Sequence, residues 1–172
     1  MIQFTDWLSR TSLSLAIQTH EWVIPTIQSI HIVGIGIVLV SVFMIVLRIL
    51  GLAGRDQSLV EITDRFGPWL FSALYVMLAT GTLMVIGEPA RELLAFSFWL
   101  KMSLVVLATI IAGIFGSSVR KDETYWESSI IKSLSTKSLA LFTLLIWIAI
   151  VILGRLIAYD HVWGSWSHAP KA

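Results

Sequence analysis

Four long apolar runs, separated by short polar segments, dominate the pattern of the chain. The runs cover residues 24–47, 66–87, 93–119 and 138–159; the first two carry no formal charge and the other two carry one each. About 20 helical residues at roughly 1.5 Å each are enough to cross a hydrocarbon core of about 30 Å. Each run is therefore predicted to span a membrane. The 172 residues then form a single membrane domain, because the spans leave no room for a second one.

The first 20 residues have a different, amphipathic pattern. Four large apolar side chains fall near one face of a helix: Phe4, Trp7, Leu8 and Leu15. Asp6 and Arg10 interrupt the segment, which lacks the basic start and uninterrupted apolar core of a cleavable signal. We expect residues 1–20 to form a helix lying in the membrane interface. The predicted fold class is all-α, an integral-membrane four-helix bundle with an N-terminal amphipathic interfacial helix.

Composition excludes several classes of protein. Hydrophobic residues make up 56% of the chain and charged residues 13%, whereas roughly a quarter of an ordinary soluble domain is charged. A soluble globular enzyme and a disordered chain are therefore excluded. A formal net charge of +1 is too balanced for a nucleic-acid binder. The absence of cysteine excludes disulfides, thiolate metal sites and iron–sulfur clusters.

Basic residues are divided unequally between the two sides of the predicted bundle. Seven lie in or beside the loops that join spans one to two and three to four: Arg48, Arg55, Arg65, Arg120, Lys121, Lys132 and Lys137. Only Arg10, Arg91 and Lys171 lie on the other side. The positive-inside rule then places these two loops in the cytoplasm and both termini outside, which for the inner membrane of a bacterium means the periplasm.

Polar residues inside the predicted spans are few, and they lie at similar depth. His31 lies seven residues into the first span, Lys101 eight residues into the third, and Arg155 four residues from the end of the fourth. Thr80 lies in the same half of the second span. Because ionisable groups inside a bilayer are costly, this outer half is the expected functional site. In the simpler interpretation, Lys101 and Arg155 reach the headgroups and His31 bonds a neighbouring helix.

A buried imidazole, a nearby cation and a glycine gap are what a b-type haem needs. His31 is the candidate axial ligand of the iron, and Lys101 or Arg155 would neutralise a propionate. Gly34, one turn from His31, leaves room for a flat ligand or for a close neighbouring helix. With Thr80, these residues form the predicted cofactor-binding set.

Two alternatives remain open at this point. Met77 and Met84 are soft ligands, and with His31 and the outer histidines they would form a copper or other metal site, although apolar filling is the commoner role of methionine. The outer histidines are His20, His161 and His168. Alternatively, the polar residues only bond neighbouring helices, and the chain is a cofactor-free structural subunit of a membrane complex or a homo-oligomer.

Several short motifs point to a family resemblance. They are Trp7-Leu8, Pro25, His31-x-x-Gly34, Leu47-Arg48-Ile49-Leu50-Gly51-Leu52-Ala53, Thr80-Gly81 and Phe98-Trp99-Leu100-Lys101-Met102. To about the end of the third span, the chain resembles an uncharacterised family of four-helix bacterial inner-membrane proteins. More distantly, its layout is similar to CopD-type copper-resistance membrane domains and to HemJ-type protoporphyrinogen oxidases. The latter resemblance implies haem b ligated by His31, with Lys101 beside the porphyrin.

The predicted function is membrane redox chemistry or electron transfer by an integral membrane protein that binds haem b in the outer half of the bundle. Such a protein is either an oxidoreductase or an electron-transfer subunit. Its expected partners are the lipid bilayer and a quinone or a periplasmic redox protein, with no nucleic acid among them.

Overall fold

The computed structural model describes residues 1–132 and 134–160, except for the side chains of 129–132. The described residues form α-helices and no strand, which confirms the all-α fold class. The helices are α1 Ile2–Ser9, α2 Ser12–Thr19, α3 Val23–Leu50, α4 Leu59–Gly87, α5 Pro89–Leu93, α6 Phe96–Lys121, α7 Glu123–Lys132 and α8 Leu134–Leu156.

Four of these helices, α3, α4, α6 and α8, are long and apolar enough to cross a membrane. Helix α3 packs extensively on α4, α8 contacts both α3 and α6, and α4 contacts α6 only sparsely. Val38, Leu70, Ala108 and Trp147 are among the buried residues of the core between them. The predicted number of spans is therefore confirmed. We call the two ends of the bundle the His31 end and the Arg48 end, after a residue near each.

Helix α4 begins at Leu59 rather than at residue 66, where the predicted second span begins. Ser58 starts it with a capping box, in which the Ser58 hydroxyl accepts the N–H of Glu61 and the Glu61 carboxylate accepts the N–H of Ser58 at 2.7 Å. Such a box satisfies two backbone donors at a helix start. The first two turns of α4 therefore carry charged residues and extend the helix beyond its apolar run.

The predicted third span, 93–119, is divided between two helices in the structure. Leu93 ends α5, a five-residue helix with Pro89 in its first turn, and α6 begins only at Phe96. Ala95 separates them in an extended conformation. The predicted fourth span, 138–159, corresponds to α8, which starts earlier, at Leu134, and is followed by a 3-10 turn over residues 157–160.

The N-terminal segment is two short helices rather than one. Thr11 lies between them and caps α2, because its hydroxyl accepts the N–H of Ser14. The predicted apolar face is exposed at Phe4, Trp7 and Leu15, as expected of a segment whose apolar face meets the interior of a membrane.

The opposite face of this segment docks on the bundle. Its buried residues are Thr5, Ser14 and Ile17. The Ser14 hydroxyl donates a 2.6 Å hydrogen bond to the carbonyl of Ile86, near the end of α4. Helices α1 and α2 therefore cover part of the His31 end.

A buried ion pair holds the Arg48 end together. Arg48 is only 8% exposed, and its guanidinium bonds both carboxylate oxygens of Glu127 in α7, at 3.0 and 2.8 Å. It also donates to the carbonyl of Gln57 at 2.7 Å, and the Glu127 carboxylate accepts the N–H of Leu59 at 2.6 Å. Gly51 ends α3 with φ +70°, a conformation that favours glycine. Arg48 therefore joins α3, the following loop, α4 and α7.

Candidate functional site

His31 and Thr80 meet across the interface between α3 and α4. Nδ1 of His31 lies 2.8 Å from the hydroxyl oxygen of Thr80. In one tautomer of His31 the Thr80 hydroxyl donates to Nδ1; in the other, the hydroxyl donates to the carbonyl of Val76 at 2.8 Å and its oxygen accepts the Nδ1–H of the ring. In this second tautomer the neutral imidazole carries its proton on Nδ1 and a lone pair on Nε2. Nε2 is then the nitrogen of His31 that suits a metal ligand.

The position of the His31 ring depends on a small neighbour. A Cβ built on Gly81 would lie 3.6 Å from Cε1 of His31, in van der Waals contact. A side chain larger than alanine at this position would press on the ring. The Thr80-Gly81 pair thus supplies both a hydrogen-bond acceptor and the space for the imidazole, which stays half-buried.

Lys101 enters the same region from the second turn of α6. Its Nζ lies 5.4 Å from the centroid of the Phe98 ring, which is a cation–π distance. Its aliphatic stem passes α8 at Gly154, where a Cβ would lie 3.7 Å from Cδ of Lys101. The ammonium group is close enough to act electrostatically on His31. The structure therefore joins His31 to Thr80 directly and places Lys101 within electrostatic range of His31.

Glu92 is a member of this cluster that the sequence analysis missed. It lies in α5, is 4% exposed, and interacts electrostatically with Lys101. Burial raises the pKa of the Glu92 carboxyl above its ordinary value, while the nearby Lys101 and Arg91 act in the opposite direction. A carboxylate in the short connection between two spans usually faces solvent. Glu92 is buried because α5 folds against the bundle.

Of the two roles predicted for Gly34, the structure shows the close approach of a neighbouring helix. A Cβ on Gly34 would lie only 2.8 Å from Cγ of Met77, so the glycine permits close contact between α3 and α4. The space beside Gly34 is taken by Met77 rather than left for a flat ligand. Met84 lies two helical turns further along α4 and is half-buried.

Arg155 is not brought into the cluster around His31. Its side chain is exposed, and its guanidinium lies over the ring of Tyr159, 5.3 Å from the centroid. Among the described residues, no group of three or more His, Asp or Glu side chains is arranged to hold a metal ion. Of the outer histidines, His161 and His168 lie outside the described residues. The copper alternative stays a prediction.

Asp160 fixes the start of the helix that carries Lys101. Its carboxylate accepts the backbone N–H groups of Phe96 and Ser97, each at 3.0 Å, and the hydroxyl of Ser97 at 2.6 Å. Asp160 is 3% exposed. This capping role has no signature in the local sequence, because Asp160 lies more than 60 residues from the helix that it caps.

Fold and site together define an all-α protein with four helices able to cross a membrane and a polar cluster of His31, Thr80, Lys101 and Glu92 at one end. The chain belongs to DUF6644, a family of unknown function, whose model matches residues 4–160. No curated protein and no solved structure matches the chain. The similarity to CopD-type and HemJ-type proteins therefore stays a prediction.

Proposed function

We propose that this protein binds haem b through His31 and serves membrane redox chemistry, as an electron-transfer subunit or an oxidoreductase. One observation carries the proposal. Inside a membrane-spanning helix, Nδ1 of His31 lies 2.8 Å from the Thr80 hydroxyl, and the tautomer in which Nδ1 donates this bond leaves Nε2 free to ligate. Ligating histidines typically donate their other ring N–H to such a partner. An imidazole that only joined two helices would need no cation beside it.

The residues of the cluster are of the types that would hold a b-type haem. His31 would ligate the iron through Nε2, and Thr80 would hold the imidazole in its orientation. Lys101 would neutralise a propionate, in competition with Glu92, which already acts on the ammonium group. When bound, the haem supplies one-electron transfer. The chain's own residues bind it, orient it and balance its charge.

The location follows from the distribution of basic residues. We propose a bacterial inner membrane in which the Arg48 end faces the cytoplasm and the His31 end and both termini face the periplasm. The electron partner would be a quinone or a periplasmic redox protein. Because the chain has no cysteine, single cysteines can report the orientation. An impermeant thiol reagent should label Ser9→Cys in intact spheroplasts, and Ser128→Cys only after the membrane is opened.

The absorption spectrum of the protein, purified in detergent after expression with adequate haem, tests the cofactor. We expect a Soret band that His31→Ala abolishes. His20→Ala is the matched control, because His20 lies at the end of α2, outside the cluster; it should leave the band unchanged. Absence of the band from the wild-type protein would exclude the proposal.

Substitutions of Thr80 test whether His31 is a ligand or a structural residue that only joins two helices. Thr80→Val has nearly the same volume but no acceptor for His31, so we expect a weakened or shifted band. Thr80→Ser keeps the hydroxyl and should retain the wild-type spectrum. Metal analysis of the same sample distinguishes the alternatives, since copper in place of iron would indicate a metal-handling protein.

A further inference from the structure

A buried carboxylate at the His31 end lacks a direct bond to any partner. Glu92 is 4% exposed, and within the described part of the chain no hydrogen bond or ion pair reaches its carboxylate. Its oxygens are nevertheless not among the side-chain atoms that are sealed from solvent. Buried carboxylates are normally paired or hydrogen-bonded. A carboxyl that lacks such bonds, but that solvent can reach, is suited to bind and release a proton.

Lys101 acts on this carboxylate at a distance. Its ammonium group interacts electrostatically with Glu92, but the two side chains form no direct ion pair. Nζ of Lys101 lies instead against the ring of Phe98, 5.4 Å from its centroid. A direct ion pair would hold the carboxylate in its ionised form. Without one, the proton affinity of Glu92 responds to further charges that enter the cluster.

The other charged groups beside α5 form neutral pairs. Arg91 and Glu88 pair with each other at 2.7 Å and act on Glu92 with opposite signs. On α1, which packs against α5, Asp6 and Arg10 pair with each other at the surface. The second half of α4, which also contacts α5, carries no charged residue. Burial and the ammonium group described above therefore govern the proton affinity of Glu92.

The same ammonium group connects Glu92 to the candidate ligand. Lys101 acts electrostatically on His31 as well as on Glu92. A negative charge added to such a cluster favours the neutral form of a nearby carboxyl, because like charges disfavour ionisation. Ionisable residues at membrane depth often belong to proton relays. An electron that arrives at His31 is therefore expected to draw a proton to Glu92.

We propose that Glu92 is the proton-binding site linked to electron transfer at His31. This inference rests on the proposed redox function, in which a quinol or a reduced periplasmic protein supplies the electron. As one electron enters the cluster, the carboxylate of Glu92 takes one proton from solvent at the His31 end and becomes a carboxylic acid. The net charge of the cluster is then unchanged. As the electron leaves, the O–H bond breaks and the proton returns to solvent.

Infrared spectroscopy tests Glu92 itself, without need of a cofactor. The C=O stretch of protonated carboxyls is recorded while the pH of the protein in lipid vesicles is raised. We expect a band that persists above pH 4.5, the ordinary pKa of the group, and that Glu92→Gln removes. Lys101→Met should shift the loss of this band to higher pH, because the ammonium group favours the carboxylate. Glu88→Gln is the matched control and should keep the band.

Redox titration of the haem-loaded protein tests the link to His31. We expect the midpoint potential to fall with rising pH, toward about 59 mV per pH unit, the ten-fold change that one proton per electron gives. Glu92→Gln should lose most of this slope, whereas Glu88→Gln should keep it. Haem propionates also bind protons, so the measurement is the difference in slope between Glu92→Gln and the wild type.

The outcomes distinguish this inference from the haem proposal. A Soret band together with equal slopes in Glu92→Gln and the wild type would assign the proton to another group and overturn the inference alone. An infrared spectrum that Glu92→Gln leaves unchanged would also overturn it, because Glu92 would then carry no proton above pH 4.5. A wild-type protein without a Soret band would overturn both proposals.

Discussion

The hydroxyl of Ser97 donates a 2.6 Å hydrogen bond to the carboxylate of Asp160, which lies 63 residues further along the chain. The same carboxylate accepts two backbone N–H groups of the first turn of α6. A negative charge at a helix N-terminus also interacts favourably with the helix dipole. A residue in the 3-10 turn after α8 thus caps α6, and it fixes the height at which Lys101 enters the cluster.

Removing this cap should destabilise the protein. We expect Asp160→Ala to lower the free energy of unfolding by about 1 to 2 kcal/mol, because two buried N–H groups and a buried hydroxyl lose their acceptor. Asp160→Asn keeps one acceptor oxygen and should lose less. Thermal unfolding in detergent measures both. Equal stability of Asp160→Ala and the wild type would show that the cap contributes nothing.

The Arg48–Glu127 pair should matter more than the exposed ion pair near it. Glu127→Gln leaves a buried guanidinium without a counter-charge, and we expect a loss of about 2 to 3 kcal/mol, since water reaches the partly exposed carboxylate. The control is Asp64→Asn, which breaks the exposed pair with Arg120 at a cost of less than about 1 kcal/mol. The difference in thermal midpoint between the two variants is the measurement. A larger loss for Asp64→Asn would contradict the structure.

The contact of Gly34 with Met77 can be tested as a coupled pair. Gly34→Ala places a methyl carbon only 2.8 Å from Cγ of Met77, and we expect a loss of about 1 to 3 kcal/mol from overpacking. In the Met77→Ala background the same substitution should cost less, so the two effects should not add. Gly36→Ala, which enters open space, is the control. Additive losses would mean that the two residues do not touch.

Glu92 should make stability depend on pH. Because burial raises its folded-state pKa, the folded protein binds this proton more tightly than the unfolded chain does. The contribution of Glu92 to stability is greatest below its ordinary pKa of 4.5, and it falls as the pH rises through the raised value. Glu92→Gln should therefore gain stability relative to the wild type with rising pH.

Thermal unfolding between pH 4 and 8 measures this gain for Glu92→Gln. Glu88→Gln is the matched control, because Glu88 is a half-buried neighbour that pairs with Arg91 at 2.7 Å. It should not reproduce the trend. A constant difference between Glu92→Gln and the wild type across this range would show that the Glu92 carboxyl titrates normally.

The spans and part of the cluster could be predicted from the sequence, because each depends on residues close together in the chain. A long uncharged run must lie in a membrane or in a protein core. A histidine within such a run is costly to bury unless its ring nitrogens have partners. His31 and Thr80 fall on facing helices at matching depth, so their contact follows from two independently placed spans. The start of the second span was predicted less accurately than its existence. Helix α4 begins earlier than the apolar run, because the capping box at Ser58 lies within a polar segment.

The carboxylates could not be predicted in the same way. Glu92, Glu127 and Asp160 all lie in segments whose composition indicates solvent exposure, yet each of them meets a partner inside the fold. Their partners Leu59 and Ser97 are more than 60 residues away in sequence. The burial of Glu92 similarly depends on how α5 folds between α4 and α6. No local pattern in a single sequence indicates contacts between residues that lie so far apart in the chain.

The Arg48–Glu127 pair has a consequence for the order of synthesis. Glu127 follows Arg48 by 79 residues, so the guanidinium has no carboxylate partner while α3 and α4 leave the ribosome and enter the membrane. Under the orientation proposed above, Arg48 would count among the basic residues that keep its loop on the cytoplasmic side before Glu127 has been made. Once α7 has been made, the Arg48 guanidinium pairs with Glu127. The same residue then holds α3 and α7 together in the folded protein.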